Sequence, residues 1–378
     1  MQAKVVHIVS CLFVVLFSVS AVRAADRTWD GGGSNAYWGT PANWDGDATA
    51  PGAGDALFFG ASSRLAATND LAAGTAFSGI TFLNSAGAYT LGGAGITLDG
   101  NISNLSASAK TVGLPLALSG TRTIFGSNAA VTVSGVLSGS GSLNTCVTNN
   151  TVTLSGNNTY EGFTTVSNGT LLITHSSALG STNAGTRVFS NTDGTLKLSG
   201  SIEISEPLFF KNDKPVPVQY TSSLISDAGS NTVRSLITKE GNLRIRTESG
   251  AKTLVLAGGV LLVSGGGNLG FNPQSGSTII VKDKPLQLGT QTIQSEYPGT
   301  VVLAVPGNTY GNLLIVDHHK VRTDVADALC PSATLTVGGS WAADALLDMN
   351  GFDQTTAQLR TDNNATPGYR AVTSAAPA

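Results

Sequence analysis

The chain is short of charge. Asp, Glu, Lys and Arg supply only 12% of its 378 residues, about half the usual globular share. It has no run of Lys or Arg, and its pI is about 5.8. A nucleic-acid partner, which draws on a basic stripe, is therefore excluded. Cysteine is almost missing, with three residues in all. Cys11 falls in an N-terminal apolar run, leaving Cys146 and Cys330 far apart in sequence. A disulfide framework and a thiolate zinc site both need more, so both are excluded. The two thiols are expected to be small core residues. Helical periodicity is also lacking: no later stretch keeps apolar residues at helical spacing over three turns, and Asp324 to Leu329 offers one turn at most.

Hydrophobic residues reach 41% with a formal charge of -3, so the chain can bury a core and is not a disordered polymer. Gly counts 46, and Ser, Thr and Asn are abundant, a composition that suits short strands joined by tight turns. The N-terminus reads as an export leader. Lys4 is followed by an apolar stretch from Val5 to Val22, then by small residues around Val22-Arg23-Ala24. Cleavage is expected after Ala24, which sets residues 1–24 outside the fold.

After the leader, apolar and polar residues alternate in short segments such as Val131-Thr132-Val133, Thr151-Val152-Thr153-Leu154 and Thr334-Leu335-Thr336-Val337. Sandwich, propeller and β-helix all accommodate such strands, and repeats choose between them. Asn158-Thr159-Tyr160 recurs without a gap as Asn308-Thr309-Tyr310, Val166 then matches Val316, and Ala178-Leu179 matches Ala328-Leu329. A shorter cue, an apolar residue followed by Ser-Gly, recurs at Leu118, Val133, Leu154 and Leu198. Stacked coils explain both the repeats and the scarcity of charge, because identical charges about 4.8 Å apart on adjacent rungs would repel. The expected fold is an all-β, right-handed parallel β-helix, with an N-terminal cap at residues 25–60 and the solenoid over 61–378.

The segment from Thr153 to Ile173 resembles the autotransporter-associated β-strand repeat, also called the passenger-associated transport repeat. The pattern residues are Gly156, Asn158, Thr159, Tyr160, Gly162, Val166, Gly169, Thr170 and Leu171. The best copies span 153–181 and 302–329, the second keeping Asn308, Thr309 and Tyr310. Leu347 to Gln354 resembles a turn that these proteins carry, and the Trp-rich start at Thr28 to Trp44 resembles their entry segment. The resemblance implies an exported, passenger-like structural or adhesive β-helix at the cell surface or beyond, whose repeats aid secretion and folding. Export machinery is its implied partner, with surface glycans a second. A monomer is expected, without cofactor or enzymatic activity.

Two rivals stay open: a polysaccharide-active enzyme on the same scaffold, and a glycan-binding module using Trp29, Trp38 and Trp44. Against the first, the carboxylate pairs Asp348/Asp353 and Asp324/Asp327 lack an adjacent base, and Asp348 sits where Asx residues bond the backbone. Asp317-His318-His319-Lys320 reads as a surface turn, since adjacent strand residues point to opposite faces and the two imidazoles cannot easily share a metal. Gly92-Gly93-Ala94-Gly95-Ile96-Thr97 puts Thr where a calcium-repeat Asp belongs. The three tryptophans suit a solenoid cap, with sugar stacking as the alternative.

Overall fold

The computed structural model describes residues 24–374 apart from 127–128, 190–193, 213–222, 296, 317–318, 339–343 and 362–369. The leader, Trp341 and the Asp317-His318 pair lie outside the described residues. Within them the chain is a β-solenoid of about 13 turns. Every pairing between strands is parallel, which rules out the antiparallel sandwich and propeller. The only helix among the described residues is a single 3-10 turn, Pro41–Asn43. None is long and apolar enough to cross a membrane.

Three ladders of strands run along the solenoid. The first goes from Asp26–Trp29 through Ala56–Phe59 and Ile237–Gly241 to Leu286–Gln287. The second runs from Ala66–Asn69 to Gln358–Thr361. The long strands Leu143–Leu154 and Thr164–Ile173 cross from the first ladder to the second, joining them in one sheet. The third ladder has two parts: Thr75–Phe77 to Leu137–Ser138, and Glu203–Ile204 to Arg370–Thr373. Alternation places one row of each strand inside. On the first ladder Leu57, Ile80, Ile102, Ile124, Thr145, Val166, Val188 and Phe210 are successive partners along an inner row. All eight are buried. Coil length varies, with 20 residues from Thr292 to Asn312 and 30 from Asp26 to Ala56.

The repeat motif occupies places where a ladder loses its strands. Among the described residues the third ladder has none between Leu137–Ser138 and Glu203–Ile204, and Asn158 fills the gap with its side chain. Its Oδ1 accepts from the Leu137 amide at 2.8 Å, and its Nδ2 donates to the Ala178 carbonyl at 2.6 Å. The Thr159 amide then donates to the Leu137 carbonyl. One carboxamide thus stands in for the missing rung-to-rung bonds of a buried backbone. Asn308 repeats the arrangement. It accepts from the Leu286 amide and donates to the Ala328 carbonyl, both at 2.8 Å, while the Thr309 amide donates to the Leu286 carbonyl. This second copy lies where the first ladder, not the third, runs out of strands. The two copies share a bonding scheme but not a face.

Tyr160 and Tyr310 fill the core beside their asparagines. The Tyr160 hydroxyl bonds Thr164, and the Tyr310 hydroxyl accepts from the Cys330 amide. Val166 and Leu171 are buried in the same strand, with Thr170 beside Thr151 and Thr195. Gly156 and Gly162 pack closely on neighbouring coils: a Cβ at Gly162 would lie 2.5 Å from the Gly141 carbonyl oxygen. Gly169, with φ +71, turns the chain between two ladders, and a Cβ there would lie 1.9 Å from the Val147 carbonyl oxygen.

Candidate functional site

Trp29, Trp38 and Trp44 are all 0% exposed. Trp44 meets Trp29 and Trp38 edge to face at centroid distances of 5.3 and 6.2 Å, and all three pack on Phe59. The Trp44 indole donates to the Trp38 carbonyl and the Trp29 indole to the Arg64 carbonyl. Sugar stacking requires an exposed ring face and none of the three presents one, so the glycan-contact reading of this cluster is corrected. The rings supply the apolar filling of the first coil.

The remaining sequence candidates resolve individually. Asp348 accepts from the Asn350 amide in the expected Asx geometry and pairs with Lys320 at 2.9 Å. Asp324 is held by Arg322 at 2.7 Å and by Asn350. Asp327 and Asp353 meet through backbone, the Asp327 amide donating to the Asp353 carbonyl. His319 is buried, with Nδ1 2.7 Å from the Ser295 hydroxyl. The surface-turn reading is therefore wrong for this residue, which alternation turns inward. His175 accepts from the Ser177 amide. Cys330 is buried as expected, but Cys146 lies on an outward position and is only half-buried. Among the described residues no three His, Cys, Asp or Glu side chains converge as a metal site.

The strongest surface feature lies on the outer side of the first ladder. One outer row reads Thr123, Asn144, Thr165, Arg187, Phe209 and Thr238, each the partner of the next. Small hydroxyl and amide groups give way to a guanidinium and a phenyl ring. The adjacent row continues Phe189, Lys211, Glu240. Phe163 and Leu236, 38% and 42% exposed, complete a groove of about 570 Å³, a volume suited to a small ligand or a few units of a chain. The Arg187 guanidinium lies 3.9 Å from the Phe163 ring centre, a cation–π contact that fixes the ring as a platform. Lys211 and Glu240, partners on adjacent rungs, pair at 3.5 Å, so charges stacked along the solenoid here are opposite in sign. None of these residues was singled out by sequence. The available signal was Phe209-Phe210, because neighbouring strand residues face opposite ways and one ring must point out.

Beside the groove the core holds ionisable groups. Glu206 is 3% exposed and accepts from the Thr186 hydroxyl at 2.9 Å, and burial pushes its carboxyl up to about 8. Lys239 continues the inner row below Phe210 and donates to the Gly241 and Gly267 carbonyls at 2.6 and 2.8 Å. On an earlier coil, away from the groove, Lys110 donates to Ser106 and to the Ser108 carbonyl. Burial lowers both amines to about 8.

No family model matches this chain, and neither does any curated protein or solved structure.

Proposed function

We propose that this chain is an exported adhesive solenoid of the autotransporter-associated repeat type, which holds a glycan chain in the groove between Phe163 and Glu240. The observation that carries the reading is the change along one outer row from Thr and Asn to Arg187 and Phe209, next to a ring at Phe163 steadied by stacking. Aromatic faces bury the apolar faces of sugar rings, while Arg187, Lys211 and Glu240 at the same wall suit hydroxyl or carboxylate groups. A stack of parallel coils offers such a row as a rigid surface, which lowers the ordering cost of binding an extended ligand. Among the described residues Glu240 is the one carboxylate lining the groove, and it is tied to Lys211. Among the described residues no second carboxylate faces Glu240 across the groove, as hydrolysis of a glycosidic bond by two carboxylates would need. Export by a leader cleaved after Ala24 and a Trp-filled cap over the first coil belong to the same proposal.

A glycan array tests it, using the purified chain beginning at Ala25 beside its Phe209→Ser and Arg187→Ser variants. The expected result is binding to a defined set of glycans that falls about tenfold or more in each variant, because truncating an anchor costs above 1 kcal/mol. Equal binding by the variants, or none by the parent chain, overturns the proposal.

A further inference from the structure

At the start of the first strand the chain meets an acidic group that is already enclosed. Asp55 is 1% exposed, yet its carboxylate has three donors. Oδ1 accepts from the Ala25 amide at 2.8 Å, and Oδ2 from the Gly52 amide at 2.9 Å and from Arg27 Nε at 3.0 Å. The Ala25 carbonyl in turn accepts from the Ala56 amide at 2.9 Å, so the residue is held through both its amide and its carbonyl. From there the chain enters Asp26–Trp29, whose partner is Ala56–Phe59. Ala25 is also the residue that becomes the N-terminus if the leader is cut after Ala24.

We infer that Asp55 is the receptor for the α-ammonium created at Ala25 by leader removal, so that processing itself locks the first coil. The inference rests on the leader reading in the proposed function. Hydrolysis of the Ala24–Ala25 peptide by water leaves a carboxylate on the departing leader and an ammonium at Ala25. In the precursor the nitrogen at this place is a neutral amide donor. In the cut chain the same nitrogen becomes a cation facing a carboxylate oxygen that has no other donor among the described residues, and a charge-assisted bond replaces an ordinary one. The charged neighbours are Arg27, on the other oxygen, and Asp26, which is exposed. Pairing raises the α-amino pKa. The added stability is thus present below the ordinary α-amino value near 8 and is lost as pH rises through the raised one.

Two chains test this, one beginning at Ala25 and one carrying a single Gly before Ala25. The second keeps the amide but moves the ammonium one residue away. Hydrogen exchange of residues 26–29 and 56–59 at pH 6.5 is the readout. The expected result is about tenfold stronger protection in the chain that begins at Ala25, the margin separating a charged from a neutral hydrogen bond. The difference should vanish in an Asp55→Asn background and above about pH 9.5, where the amine is neutral. Equal protection with Asp55 intact overturns the inference and leaves the leader reading untouched. N-terminal sequencing of the exported chain checks that reading separately. A start at Ala25 supports it, and any other start overturns both.

Discussion

Asn158 and Asn308 make the same three-rung hydrogen bonds on two different faces of one solenoid. Each receives an amide from the coil below, Leu137 or Leu286, and gives its own to a carbonyl of the coil above, Ala178 or Ala328. The motif therefore marks where a ladder has lost its strands rather than a fixed position along the coil.

Replacing Asn158 or Asn308 with Ala leaves a buried amide and a buried carbonyl without partners. Each variant is expected to lose about 1–3 kcal/mol of stability, the cost of an unsatisfied buried group. Urea unfolding followed by circular dichroism measures it. Similar losses at both sites would bear out the shared role, and a loss at only one would contradict it.

Gly169 and Gly74 both have positive φ, but their surroundings differ. A Cβ at Gly169 would collide with the Val147 carbonyl, whereas at Gly74 it would meet open space. Gly169→Ala is expected to lower the unfolding midpoint clearly more than Gly74→Ala, which carries only the backbone strain of about 1 kcal/mol. Equal effects would show that the coils do not approach as closely as described.

Trp38→Ala opens a large void under the first coil, with an expected loss of about 3–5 kcal/mol. Thermal unfolding reads it. Since the ring is fully buried, the variant's glycan binding at a temperature where it stays folded should equal the parent's.

The buried ionisable groups set opposite slopes of stability against pH. Glu206, raised to about 8 from an ordinary 4.5, keeps its proton in the fold while the unfolded chain has lost it, so stability falls between pH 4.5 and 8. Lys110 and Lys239, lowered to about 8 from 10.5, are neutral in the fold where the unfolded chain is still protonated, so stability climbs above pH 8. A minimum near pH 8 is expected in urea midpoints collected across this range. Glu206→Gln should flatten the acid limb, and Lys239→Met should shrink the alkaline one. A monotonic curve in the parent chain would contradict these placements.

Much of the architecture was legible because its causes are local. Period-two alternation names the strands, and the scarcity of charge points to stacked rungs. The Asn158-Thr159-Tyr160 repeat is visible as letters, but its change of face is not, because coils of unequal length, 20 residues at one place and 30 at another, break any constant phase. The tryptophans could be found without being placed, since cap and sugar platform draw on the same residues and only burial separates them. The groove was missed for a related reason. Phe209 and Phe189 look like core residues in isolation, and their outward direction follows from parity within a strand. Parity also accounts for Lys239, which follows the inward Ile237 by two positions and so enters the core despite its charge.

The most direct test of the stacked, parallel coils uses one native thiol. Phe125 and Cys146 are outward partners on adjacent rungs, about 4.8 Å apart as neighbouring strands are and within disulfide reach. Phe125→Cys in a Cys330→Ala background, treated with a mild oxidant, should yield a monomer with an intramolecular bond linking residues 125 and 146 in peptide mapping. A chain that stays reduced, or that links only between molecules, would contradict the register on which the ladders, the groove and the repeat motif all depend.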